Sequence, residues 1–427
     1  MTLFREGKLG GESLFWSQQS VSTLINPPFT FSLILLFAGL WALMVGIRNS
    51  DNKLLAVATF LFGVLVQIKV YAGILVLGSL FIAGVRRVVK RKGVDVLKVF
   101  VGALVVSILI FSPHTNNTQD SIVFLPFWFL ETMMGLSDRF YWSRFYEAMV
   151  NYRLGNVWFK AIPAYLIAFG IFLIGNFGTR LVGLFWLVKK GVRIKSYQYI
   201  DVLIVSVIVA GIAAPMLFLQ TGTPWNTIQF FYFSLVFSGV LAGIALGDFL
   251  EKSKLSSMVI RIIIVVIVSL TIPTTVGTLW YHYLPGRPPA KISKAELEAL
   301  NFLKNQPDGV VLAYPYDAVK AKEAEINPPR SLYLYESTAY VSALSHKGVF
   351  LEDQVNLDIT NYPWRERREE VLKFYASLRV DEVRKFLSDN NLQYIYWVNN
   401  QRALLGEDQL GIEKIFENEE VDIYRVN

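Results

Sequence analysis

The sequence predicts a polytopic α-helical membrane protein of about eight transmembrane helices with a C-terminal soluble α/β domain. Three observations carry that prediction. Of the 427 residues, 53% are apolar and 18% charged, with a mean hydropathy of +0.41, whereas a soluble chain is nearer a quarter charged. Apolar runs of about 20 residues, the length that crosses a hydrocarbon core of roughly 30 Å as a helix, recur through the first two thirds. The final third is charge-rich and mixes helical with strand patterns.

Charge divides along the same line. Residues 285–427 hold 18 basic and 23 acidic side chains, net −5, which leaves 23 against 11, net +12, for residues 1–284. Basic residues flanking apolar spans set membrane orientation. The overall charge of +7 therefore implies membrane lipid as a partner and needs no nucleic acid. The chain has no cysteine, which excludes disulfides, thiolate catalysis and Cys-zinc sites. Residues 1–25 lack the basic-then-apolar pattern of a signal peptide.

The first span covers residues 28–47. The next apolar run, 54–85, is too long for one crossing and is interrupted by Gln67-Ile68-Lys69, so two short helices are expected to meet near Lys69. Residues 96–111 follow a dense basic loop of Arg86, Arg87, Lys90, Arg91, Lys92 and Lys98. Residues 114–160 are semi-polar and aromatic, the composition of an amphipathic loop at the headgroup level. Residues 161–188 are expected to cross once, bent at Gly175 and Gly178, with spans 200–219, 228–246 and 257–280 after them. Keeping the basic connections (Arg86–Lys98; Lys189, Lys190, Arg193 and Lys195; Lys252 and Lys254) in the cytoplasm places Lys69, loop 114–160, loop 220–227 and the C-terminal domain outside.

In the C-terminal domain, after a "PGRPP" hinge at 285–289, the pattern predicts helices at 295–305, 364–377 and 381–390. Strands are expected at 309–313, 348–351 and 394–398, a charged loop at 317–329, and a hairpin of strands 412–416 and 421–425.

Several polar residues stand where apolar ones would serve the fold better. A lysine at mid-membrane costs roughly 2.5–3.5 kcal/mol, so Lys69, with Gln67 and Tyr71 beside it, suggests contact with an anion, against the alternative of a snorkelling side chain. Arg180 is a second cation of this kind. In the outer loop, Trp225 is suited to stack on a sugar ring, with Asn226 and Gln229 binding hydroxyls; an interface-anchoring turn is the plainer reading. Gln18, Gln19, Asn26 and Pro27 precede the first span and could line the same cavity. Glu131, Asp138 and Arg139 lie in the aromatic outer loop, where a carboxylate could serve as base or metal ligand; a solvated face is the plainer reading. His114, His282 and His346 are isolated, and no metal-ligand spacing, P-loop or GxGxxG occurs. No cofactor is identified and no catalytic residue is assigned.

The segments "NPPFTFSLILLFAGL", "GVLVQIKVYAGILVLG", "PFWFLETMMGLSDRF", "GNFGTRLVG" and "TPWNTIQFFYF", with the tail "LQYIYWVNN…IEKIFENEEVDIYRV", resemble the GT-C superfamily of integral membrane glycosyltransferases. The resemblance extends over most of the chain through loose motifs. It implies a polyprenyl-phosphate-sugar donor and a glycan, lipid or protein acceptor. It implies hexosyl transfer at the non-cytoplasmic face of the cell membrane, with Lys69 against the donor phosphate, and it leaves a divalent cation open. In that superfamily the catalytic Asp or Glu sits in the first outer loop, after the first transmembrane helix. Here Glu6 and Glu12 precede any span, so an upstream part carrying the base is expected. The alternatives are a non-enzymatic membrane scaffold and a transporter-like protein with an outer partner-binding domain.

Overall fold

The structure is a computed structural model that describes residues 17–111, 122–191, 197–221, 224–253, 255–280, 284, 290–360 and 362–427. Glu6, Glu12, His114, Arg193, Lys195, Lys254, His282 and the 285–289 hinge lie outside these, as does Asn116-Asn117-Thr118, which matches the pattern of a glycosylation sequon. The chain forms two compact units, a helical one from residues up to Tyr283 and a second built mainly from Leu284–Asn427.

The helical unit opens with α1 (Gln19–Ile25) and α2 (Pro27–Asn49). Asn26 starts α2 by accepting the Phe29 N–H at 3.2 Å, with two prolines in the first turn where their missing N–H groups cost nothing. Ser50 in the left-handed conformation ends it, and the Asp51 side chain caps α3 (Asn52–Ile68), so the two helices fold back on each other. The long apolar run divides at Lys69, whose backbone is extended (φ −154°, ψ 101°), before α4 (Val70–Val89). α5 (Asp95–Phe111) returns alongside.

The aromatic loop contains β1 (Ile122–Phe124), α6 (Trp128–Gly135) and α7 (Ser143–Leu154). β1 pairs antiparallel with β2 (Phe218–Gln220), a pairing that the sequence pattern did not suggest. α8 (Trp158–Phe177) breaks at Gly178, whose φ of +48° suits glycine, and continues through a 3₁₀ turn into α9 (Leu181–Gly191). Gly178 supplies the bend; Gly175 stays helical. α10 (Tyr199–Leu217), α11 (Ile228–Lys252), α12 (Ser257–Thr271) and α13 (Pro273–Thr278) complete the unit.

The expected spans are helical over most of their length, with 200–219 ending in β2. Among the described residues, six helical runs are long and apolar enough to cross a membrane: Pro27–Asn49, Val70–Val89, Trp158–Lys190, Tyr199–Leu217, Pro224–Lys252 and Ser257–Thr278. α3 and α5 have 17 residues each, about 25 Å at 1.5 Å per residue, which falls short of the hydrocarbon thickness.

Lipid tails are as apolar as leucine, so membrane helices associate through close packing, and small residues mark the crossings. A Cβ on Gly183 would lie 2.4 Å from the Ala242 nitrogen, and one on Gly211 would lie 2.2 Å from Ser234 Oγ. Both places bring a backbone against α11. One core joins α2–α5 with α10 and α11; a second, of Phe129, Met133, Phe172, Phe177 and Phe231, joins α6, α8 and α11. α12 buries no residue.

In the second unit, β3 (Ala290–Lys291) and β5 (Arg330–Ser331) form a short parallel pair. β4 (Val310–Ala313), β6 (Gly348–Val349) and β7 (Leu392–Val398) are parallel, β8 (Ile412–Glu417) and β9 (Val421–Val426) form the antiparallel hairpin, and these five make one sheet in the order β6-β4-β7-β9-β8. Alternate residues separate its two faces. Val311, Tyr394 and Tyr396 pack with α14 (Lys294–Lys304) and α16 (Tyr340–Ser345), while Leu312, Ile395 and Trp397 pack with α18 (Trp364–Ala376) and α19 (Val380–Asp389). The expected loop at 317–329 instead contains α15 (Ala318–Ala324), which Asp317 caps, and α17 (Gln354–Ile359) follows β6.

Candidate functional site

Helix directions divide the helical unit into two ends. α4 and α11 begin at the same end, because the Tyr71 hydroxyl donates to Gln220 Oε1 at 2.7 Å and the Tyr71 ring meets Phe230 edge-on at 4.8 Å. Lys69 lies at this end, with its ammonium 5.5 Å from the Tyr71 ring centre.

The 3₁₀ turn Pro224–Thr227 leads into α11. It places Trp225, Asn226 and Gln229 on one cavity of about 330 Å³, together with Gln18, Asn26 and Arg139. Gln229 Nε2 donates to Asn226 Oδ1 at 3.2 Å, while Gln229 Oε1 is buried without a hydrogen-bond donor. An orphaned buried acceptor costs about 1–3 kcal/mol, which a hydroxyl or amide entering the cavity would offset. Trp225 is packed on Trp128 with ring centres 5.0 Å apart, so part of its stacking surface is already used within the fold.

The six candidate residues therefore fall into three groups. Trp225, Asn226 and Gln229 share the cavity. Lys69 and Tyr71 form a neighbouring pair tied to Gln220. Arg180, in the break between α8 and α9, donates from Nη2 to Gln19 Oε1 at 3.0 Å and meets Ser20 Oγ at 3.5 Å. It thus braces the α1 segment that carries Gln18 to the cavity.

One cluster escaped sequence reasoning. Tyr165 donates to Glu131, and the Arg153 Nε ion-pairs with Glu131 at 2.9 Å and donates to the Tyr165 oxygen at 3.0 Å. Glu131 had drawn attention, but no spacing linked it to partners 22 and 34 residues away. Tyr165 and Leu130 also line an apolar cavity of about 610 Å³ between α8 and α10. Asp138 pairs with Arg139 at 3.4 Å. Glu131 and Asp138 are thus each paired with an arginine. Among the described residues no three His, Asp or Glu side chains gather as a metal site.

The second unit has a crevice at the carboxyl ends of β4 and β6, where the chain leaves for opposite faces of the sheet, a common ligand position in such folds. Its free volume is only about 40 Å³, room for a water or two. Of the carboxylates that line it, Glu336, Glu352 and Asp353, Glu352 accepts the Val341 N–H at 2.9 Å and the Ser342 hydroxyl at 2.6 Å. Burial raises the pKa of that carboxyl, but its hydrogen-bonding capacity goes to starting α16.

These features define a multi-pass membrane protein with a polar, cation-bearing pocket at one end of its helices. Among solved structures it is similar to the Archaeoglobus fulgidus oligosaccharyltransferase tethered to an acceptor peptide containing the NVT sequon. The identity is 14%, over 87% of this chain and 51% of that one, with a TM-score of 0.42. It is similar also to the archaeal oligosaccharyltransferase AglB from the same organism in complex with an inhibitory peptide and a dolichol-phosphate, at 14% identity over 87% and 52%, with a TM-score of 0.41. The chain spans about half the length of these proteins. No protein-family model matches it, and no curated protein does.

Proposed function

We propose that this chain is, or forms part of, a membrane glycosyltransferase. In this reading it moves a sugar from a polyprenyl-phosphate donor to a glycan, lipid or protein acceptor at the non-cytoplasmic face, with the C-terminal domain on the same side. The observation that carries the proposal is the cavity of Gln229, Asn226, Trp225 and Arg139 within an otherwise apolar bundle. Amide groups and an indole edge suit a sugar, and Arg139 suits a phosphate; a fixed cation facing developing phosphate charge stabilises the transition state. Lys69, for which no carboxylate partner occurs among the described residues, adds a second positive charge at this end, and the apolar cavity beside α6 suits a prenyl chain. None of the cavity residues is a carboxylate, so the proposal assigns donor binding and leaves the base for acceptor deprotonation unassigned.

Donor binding tests this without requiring turnover. The purified chain is titrated with a polyprenyl-phosphohexose and followed by tryptophan fluorescence. Arg139→Ala and Lys69→Ala are each expected to weaken binding about tenfold, the value of one lost charge-assisted contact of roughly 1.5 kcal/mol. Gln229→Leu is expected to weaken it about fivefold. Equal affinity in all three variants would remove the site.

A further inference from the structure

We propose a second site at the opposite end of the helices, where the turn closing α4 binds a phosphate-bearing anion, in the form of the headgroup of an anionic phospholipid. The site lies about 30 Å along α4 from Lys69, at 20 residues and 1.5 Å each. It is independent of the proposed transferase.

The turn has a fixed shape. The Arg91 N–H donates to Val88 O at 2.8 Å and the Lys92 N–H to Arg87 O at 2.9 Å, with Arg91 left-handed at φ 54°. This pair of bonds is the Schellman closure of a helix, and it turns Lys90 and Lys92 back beside Arg86 and Arg87. Together with Tyr197 and Tyr199 they line a cavity of about 170 Å³, room for roughly five water-sized groups and enough for a phosphate diester.

Aromatic rings and hydrogen bonds hold the two guanidinium groups. Arg86 lies 5.8 Å from the Tyr197 ring centre and donates to Tyr197 O at 3.4 Å; Arg87 lies 5.2 Å from the Tyr199 ring centre. Arg87 Nη2 makes a loose pair with Asp95 at 3.5 Å, while its Nε is buried with no hydrogen-bond partner. Lys90 and Lys92 are exposed and form no ion pair among the described residues. Asp201 pairs with Lys190 at 2.7 Å. Four cations thus line one cavity, and Asp95 pairs loosely with one of them.

Membrane orientation and the helix dipole alone account for basic residues here. They do not account for two arginines set by aromatic rings around a cavity, one with a buried donor to spare. Basic pockets between transmembrane helices are a recognised way of binding lipid headgroups. The apolar side chains of Ile82, Val85, Val88 and Val89, exposed on the last turns of α4, offer a path for acyl chains, which favours a lipid over a free phosphate.

The test is thermal unfolding of the full chain in neutral detergent. The additives are dioleoyl phosphatidylglycerol, dioleoyl phosphatidylcholine, the water-soluble headgroup glycerophosphoglycerol and inorganic phosphate. Phosphatidylglycerol alone is expected to raise Tm in a concentration-dependent way. The exposed double variant Lys90→Gln/Lys92→Gln should lower its apparent affinity about thirtyfold, a factor of about five for each lysine. Arg87→Gln should weaken it as well without changing the Tm of the lipid-free protein by more than a few degrees. Equal stabilisation by phosphatidylcholine, or full retention of the shift in both variants, would overturn the site. Equal stabilisation by glycerophosphoglycerol or inorganic phosphate would overturn the lipid assignment.

Discussion

The two ends of the helical unit carry opposite kinds of chemistry. At the Lys69 end, the cavity presents mostly amides, Arg139 and Arg153 pair with carboxylates while Lys69 meets none among the described residues, and the cavity contains a buried acceptor with no donor. At the other end, where α2, α4, α9 and α11 finish, Arg48, Arg86, Arg87, Lys189, Lys190 and Lys252 fall in final turns. The comparison teaches that positive charge alone does not mark the functional end of a membrane protein. Cations in the last turns are stabilised by helix dipoles and by orientation. Amides and hydroxyls at the Lys69 end gain nothing from either effect, and the proposed donor site would give them a partner.

The largest effect expected from this asymmetry is all-or-none. The chain has no cysteine, so single introduced thiols report sidedness directly. Lys92→Cys at the basic end should be protected from an impermeant maleimide in sealed, right-side-out vesicles. Leu136→Cys, after α6, should label fully, and so should Leu378→Cys in the second unit; both positions are exposed. Labelling of Lys92→Cys together with Leu378→Cys would collapse the proposed arrangement.

A smaller effect compares one ion pair from each end. Asp201 is buried, holds Lys190 at 2.7 Å and caps the Gln198 N–H at 2.9 Å. Asp201→Ala should cost about 3 kcal/mol, because it removes a charge-assisted pair and the acceptor of a backbone N–H together. Glu131→Ala should cost about 2 kcal/mol, the value of a charge-assisted hydrogen bond, because Arg153 keeps its hydrogen bond to the Tyr165 oxygen. Reversible unfolding in mixed micelles measures both. A larger loss for Glu131→Ala would mean that the aromatic end is the more rigid of the two.

Much of this fold was legible because membrane helices announce themselves through length and hydropathy, and because a sheet strand buried on both faces reads as a short apolar run, as in Leu392–Val398. The break at Lys69 was legible for the same reason, since a lysine is costly inside an apolar run. The β1–β2 pairing was not, since three-residue strands leave no period to read and their partner lies 96 residues away. In the site, Trp225, Asn226 and Gln229 were legible because they are close in sequence. The part played by Arg139 and the tie from Tyr71 to Gln220 were not, since tertiary contact alone joins them. The basic turn was legible only as an orientation signal; its cavity depends on Tyr197 and Tyr199, more than 100 residues further on.

The smallest expected effect separates stability from function at the Lys69 end. Tyr71→Phe removes the hydrogen bond to Gln220, and Ser107→Ala removes one of similar length, 2.9 Å, from Ser107 to Gly63 O within the α3–α5 packing. Each should cost about 1 kcal/mol of stability, so Tm should fall by a similar few degrees in both. Only Tyr71→Phe loosens Gln220 and the ring beneath Lys69, so only it should also weaken binding of the polyprenyl-phosphohexose, by about threefold. A matched loss of binding in both variants would show that the bundle as a whole sets donor affinity. Unchanged binding in both would confine the donor to the Trp225 cavity and leave the Lys69–Tyr71 pair as a structural brace.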